Sequence, residues 1–171
     1  PEDRRCFAFF HPAMPDEPLI FVEVALSRGV PGSIQALLAE DREVIPQERA
    51  DTAVFYSISN CQAGLASISF GNSLIKQVAR DLAMELPQIK TFVTLSPIPG
   101  LINWLAENTR VVDTSDPDLM RRHAAEYLLH AKRSDGLPRD PVARFHLGNG
   151  ARVHAVHADA DLSDKGQTQS G

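Results

Sequence analysis

QAGLASISFGNSLIKQVARDLAMELPQIKTFVTLSPIPG, residues Gln62 to Gly100, is the stretch that decides how the chain can fold. From Gly71 onward the apolar residues Leu74, Ile75, Val78, Leu82 and Leu86 recur at spacings of three and four, while Lys76, Gln77, Arg80 and Asp81 take the outer arc. That is the pattern of an amphipathic helix, and Pro87 ends it. Thr91 to Ser96 is β-branched and apolar, a strand with Phe92, Thr94 and Ser96 on one face. Pro97 and Pro99 cannot donate to a sheet ladder, so the backbone is expected to leave its neighbours there. Upstream, Thr52 to Ser59 (TAVFYSIS) alternates as a strand and feeds the turn. A strand, a turn of small residues and a helix leave the first helical N–H groups unpaired and aimed at whatever precedes them, commonly an anion. The turn Ala66 to Asn72 is therefore a candidate phosphate cradle, although a glycine before a helix also serves as ordinary turn chemistry.

Outward from this centre, Cys6 to Phe10 suits a lead-in strand. Leu19 to Leu26 (LIFVEVAL) reads as a strand covered on both faces. Glu23 interrupts that run, and a carboxylate there must be satisfied by partners or act as an acid. Ser33 to about Glu40 has a capping serine and helical spacing, and Asp41 to Asp51 is a charged loop. Leu101 to Asn108 is a short apolar helix carrying Trp104. Asp116-Pro117 caps a helix expected to run to about Arg133, with Met120, Ala124, Tyr127, Leu128 and Ala131 as its buried stripe. Pro141 to His146 suits one more helical turn. Ala151 to His157 alternates as a strand after the Gly148-Asn149-Gly150 turn, and residues 158–171 read as polar loop. Strands separated by helices, without a clean doubly wound series, make the fold class α+β, an α/β sandwich.

The 171 residues include 43% hydrophobic and 23% charged side chains, the balance of an ordinary globular protein. Lysine and arginine number 17 against 22 acids, a net charge of −5, so the bulk charge gives no reason to expect nucleic acid. Two cysteines, Cys6 and Cys61, show neither metal-ligand spacing nor a secreted framework, which points to reduced thiols. No apolar run approaches the roughly 20 residues needed to cross a bilayer.

Two further residues are candidates for chemistry. Ser96 lies at a strand end beside a forced break in the sheet, where ligands often enter; serines are also common at strand ends. His146, in FHLGNGA, stands beside a glycine-flanked turn that lets backbone approach a ligand, and is the best acid or base among six histidines. A capping or core role is its structural alternative. His11, His123 and His130 fall on surface or helix positions. His154 and His157, three apart on the expected strand, face opposite ways and do not suit a shared metal.

The segments FYSISNCQAGLASISFGNSLIKQV, TFVTLSPIPG and RFHLGNGA resemble the catalytic domain of the malonyl-CoA decarboxylases, in order and through nearly the whole chain. The resemblance implies the fold of the GCN5-related N-acetyltransferases: a mixed sheet whose splayed central strands admit the pantetheine arm, with the CoA pyrophosphate at the turn before the central helix. It places an acyl-CoA loop at Ala66, Ser67, Ile68, Ser69, Phe70, Gly71 and Asn72, and a catalytic pair at Ser96 and His146. It implies a partial catalytic domain, residues 1–171, without the family's amino-terminal helical domain or last strand. Malonyl-CoA and acetyl-CoA are the implied partners, with no nucleic acid, no membrane, no metal and no cofactor, because the thioester is its own electron sink. A homo-oligomeric full-length protein in a bacterial-like cytoplasm is expected, the mitochondrial matrix being the other compartment.

Losing CO2 from malonyl-CoA leaves two electrons that spread onto the thioester oxygen as an enolate. The protein must then supply donors at that oxygen, a dry pocket and a proton for the carbon. Two other functions share the expected fold: acyl transfer from CoA to an amine, which needs a base and an acceptor groove, and a module that binds malonyl-CoA without turning it over.

Overall fold

The structure, a computed structural model, describes residues 1–62, 71–108 and 113–171. Its sheet grows from the alternating strand at its centre, β3 (Thr52–Asn60), which pairs antiparallel with β2 (Met14–Ser27), itself antiparallel to β1 (Arg4–His11). On its other edge β3 pairs in parallel with β4 (Thr91–Thr94), giving the order β1-β2-β3-β4. A parallel neighbour cannot be reached by a tight turn and needs a crossover, here containing α2 (Gly71–Glu85). The parallel register covers only Thr52↔Thr91 to Phe55↔Thr94, with one more bond from Leu95 N–H to Phe55 O, while β3 runs on to Asn60. β3 and β4 thus part where the prolines forbid further pairing, and Ser96 falls just beyond β4 instead of within it.

Among the described residues five further helices follow, α1 (Ile34–Leu38), α3 (Leu101–Glu107), α4 (Pro117–His130), α5 (Pro141–Gly148) and α6 (Asp164–Ser170), with a 3-10 turn at Gln47–Arg49. The chain divides into two compact units, Pro1–Pro31 with Ala36–Leu95, and Gly32–Gln35 with Ser96–Gly171. In the first, Val78 and Leu82 of α2, with Leu86 just past its end, are buried with Ile20, Val22 and Val24 of β2 and Ala53 and Phe55 of β3. Each such Val or Leu contributes about 1.5–3 kcal/mol when fully buried, as much as or more than a helix cap. The apolar stripe therefore places α2 against the sheet. In the second unit Leu101, Trp104 and Leu105 of α3 pack with Met120, Ala124 and Tyr127 of α4, the Trp104 and Tyr127 rings 5.3 Å apart.

The structure departs from the sequence reading elsewhere as well, and β2 begins at Met14, ahead of the expected Leu19. Ala151 to His157 is not a strand: it is almost wholly exposed and takes no regular secondary structure. Alternation reports which side chains share a face and says nothing of whether an edge is there to bond. Residues 158–171 are not all loop, since α6 is capped by Ser163, whose Oγ accepts from Gly166 N–H at 3.1 Å. α4 stops at His130 because Ala131 is extended; beyond it Arg133 N–H and Arg139 N–H bond back to Leu137 O and Ala131 O. β2 is buried throughout Val24–Leu26, but Phe21 is exposed and Glu23 half-buried beside a bulge, so that carboxylate is not inside a doubly covered strand.

Candidate active site

α5 owes its start to Asp140-Pro141. The Asp140 side chain accepts from Ala143 N–H at 2.8 Å, and Pro141 occupies the first turn, where a missing N–H costs nothing. Its end is a glycine turn: Asn149 N–H and Ala151 N–H both bond to His146 O at 3.1 Å, and Gly150 has φ +88°, where glycine carries no steric penalty. This turn leaves the His146 ring at the end of the helix, with its Nε2 3.1 Å from Ser96 Oγ. The structure therefore brings together two of the residues singled out in the sequence, 50 positions apart.

Ser96 is exposed and His146 half-buried. Burial holds the imidazole below its ordinary pKa of 6.5, because a charged ring loses solvation there. Near neutral pH the ring is uncharged, and in the tautomer with Nε2 free it accepts the Ser96 hydroxyl proton. Phe145 stands edge-on to it at 5.1 Å. The pair can thus exchange a proton between a hydroxyl facing solvent and an imidazole held neutral, as general acid-base chemistry requires.

Three supports of the Ser96 segment are not assigned to the site by the sequence, which shows Tyr127 only as a buried stripe residue. Ile98 N–H donates to Ser170 Oγ at 3.2 Å, and Gly100 N–H donates to Asp140 Oδ2 at 3.4 Å. The Tyr127 hydroxyl lies against Gly100, its pKa raised first by burial and then by the Asp140 carboxylate. The signal for Asp140 was available, since Arg139-Asp140-Pro141 repeats the Asp-Pro cap recognised at Asp116.

Of the acyl-CoA loop, Ala66, Ser67, Ile68, Ser69 and Phe70 lie outside the described residues, and Gly71 and Asn72 form the first two positions of α2. His11 Nδ1 accepts from Ala13 N–H in the β1–β2 turn, and His154 and His157 are exposed. Among the described residues no group of three or more His, Cys, Asp or Glu is placed to hold a metal, and no helix is long and apolar enough to cross a membrane. Cys6 and Cys61 are free and exposed.

The sequence model of the family described as malonyl-CoA decarboxylase C-terminal domain matches residues 1–116 and 114–171. The chain belongs to that family. The mitochondrial malonyl-CoA decarboxylases of Anser anser anser and Rattus norvegicus are 32% and 33% identical to it, over 95% and 98% of the chain. It spans 42% and 43% of their lengths, less than half of each. Among solved structures, malonyl-CoA decarboxylase from Rhodopseudomonas palustris shares 47% identity at a TM-score of 0.87, covering 99% of this chain and 45% of its own. The Agrobacterium vitis malonyl-CoA decarboxylase shares 46% at 0.90, covering 99% and 48%. The loading GNATL domain of CurA from Lyngbya majuscula is 14% identical at a TM-score of 0.53, covering 91% and 69%. That likeness shows the fold, the α+β arrangement expected from the resemblance to the GCN5-related N-acetyltransferases.

Proposed function

We propose that this chain carries the reacting pair of a malonyl-CoA decarboxylase, converting malonyl-CoA to acetyl-CoA and CO2. The observation that carries the reading is the 3.1 Å approach of Ser96 Oγ to His146 Nε2 within a chain of that family. In the reaction the bond between the α-carbon and the carboxylate breaks, CO2 departs, and the electron pair spreads onto the thioester oxygen. Ser96 and His146 orient the malonyl group, donate to the enolate oxygen and return one proton to the carbon, which solvent then replaces. The thioester is the electron sink, so the pair has only to supply hydrogen bonds and a proton. The loop Ala66 to Asn72, whose last two residues open α2, is assigned to the CoA phosphates by the chemistry of helix N-termini. The higher identity to the Rhodopseudomonas palustris enzyme than to the mitochondrial relatives favours a bacterial-like cytoplasmic setting.

The test is CO2 and acetyl-CoA formation from malonyl-CoA by the full-length protein, with no acceptor amine present. Ser96→Ala and His146→Ala are each expected to lower kcat by about 10² to 10³ while malonyl-CoA binding persists. Full activity in both variants refutes the assignment of the pair. Binding without CO2 release by the unchanged protein refutes the decarboxylase reading in favour of a binding module, and product formation only with an amine does so in favour of acyl transfer.

A further inference from the structure

We propose that Asp140 is a positioning residue for the Ser96–His146 pair, tying the helix that carries His146 to the backbone that closes the Ser96 segment. The inference rests on the reading of those two residues as the reacting pair, and its geometric part can be tested without it.

Capping α5 requires only one carboxylate oxygen, and it does not require burial. Asp116 shows this: it is exposed, and its Oδ1 alone accepts from Asp118 N–H and Leu119 N–H at the start of α4. Asp140 performs the same task with Oδ1 on Ala143 N–H, yet it is only 2% exposed and turns Oδ2 toward Gly100 N–H. Burying a carboxylate is costly unless hydrogen bonds compensate it. The second oxygen is therefore spent on a contact that capping does not need.

Gly100 carries the same message from the other side. Its φ of −98° and ψ of −2° suit any residue, so no backbone strain calls for glycine. A methyl group there would instead overlap the Tyr127 hydroxyl and come within 3.2 Å of Tyr127 Cζ and 3.7 Å of Asp140 Oδ2. Glycine permits the close approach of the backbone to Asp140 and Tyr127.

Between Gly100 and Ser96 the chain has few soft torsions. Pro97 and Pro99 fix their own φ, and Ile98 N–H is held by Ser170 Oγ. A displacement at Gly100 therefore passes to Ser96, while Asp140 holds the start of the helix bearing His146. A shift of about 1 Å between the two lengthens a 3.1 Å contact beyond hydrogen-bonding range.

The experiment separates capping from bridging. In the full-length protein, Asp140→Ser keeps a good cap for α5 but is too short to reach Gly100 N–H. It is expected to lower kcat for malonyl-CoA decarboxylation at least about tenfold with KM little changed, and its crystal structure to show Ser96 Oγ and His146 Nε2 separated. Gly100→Ala is expected to do the same, and adding Tyr127→Phe, which removes the overlapping hydroxyl, to restore part of kcat. Wild-type kcat and an unchanged Ser96–His146 distance in Asp140→Ser overturn the proposal and leave Asp140 a cap. Should Asp140→Ser fail to fold, Gly100→Ala with and without Tyr127→Phe decides alone, absence of rescue counting against the proposal. If the unchanged protein releases no CO2, the functional reading fails, and the distance in the variant structures still judges the positioning.

Discussion

Lifting the burial of His146 should move the acid limb of the reaction upward. The ring's pKa is lowered by lost solvation, and Phe145, edge-on at 5.1 Å, supplies part of the apolar cover. On the proposed reading, with the neutral imidazole accepting from Ser96 as the form that turns over, kcat/KM should fall as pH drops through the imidazole pKa, tenfold per unit below it. An imidazole at its ordinary value of about 6.5 would be roughly nine-tenths protonated at about pH 5.5 and leave about one-tenth of plateau activity. His146 should leave more than that, since its pKa lies below the ordinary one. Phe145→Ala should bring the remaining activity at about pH 5.5 down toward that one-tenth. The assay is kcat/KM for CO2 release at constant ionic strength across about pH 4.5 to 8, beside an NMR titration of the His146 ring. The same depression makes a stability statement. The unfolded chain takes up this proton at higher pH than the folded one, so the contribution is present above the unfolded pKa and is lost as pH falls to the folded one. An acid limb at or above the ordinary imidazole value in the unchanged protein refutes the reasoning, as does a Phe145→Ala profile displaced to lower pH.

Two further predictions concern the scaffold. Leu82→Ala removes a side chain with no exposed surface from the α2 stripe and should cost about 2–5 kcal/mol, a fall in Tm of roughly 4–20 °C by calorimetry; a change below about 1 kcal/mol would contradict the placement of that stripe. Asp116→Ala, which removes the exposed cap of α4, should cost about 0.5–2 kcal/mol by urea unfolding and speed amide exchange at Asp118 and Leu119, whose N–H groups it now holds.

Much of the fold was legible because burial on one face imprints a period. The spacing of Val78, Leu82 and Leu86 announced α2, and Asp116-Pro117 announced the start of α4. The alternation in Thr52 to Ser59 announced β3, and the two prolines after Ser96 announced the point where β4 leaves its neighbour. α6 left no such trace: Asp164–Ser170 has no apolar stripe and depends on its Ser163 cap and on what packs against it. The apparent strand at Ala151 to His157 failed for the converse reason, a period without a bonding edge.

By itself, then, the sequence determined the local elements, the family to which the segments around Ser96 and His146 belong, and which residue types were available for acid-base chemistry. Only the tertiary structure decided that Ser96 and His146 lie 3.1 Å apart, that the imidazole is held below its ordinary pKa, and that the buried Asp140 reaches Gly100. The physical reason is one of range. Periodicity and capping act within a few residues, whereas a hydrogen bond across 50 residues, or the desolvation of one ring, depends on how separate elements pack, which no local pattern encodes.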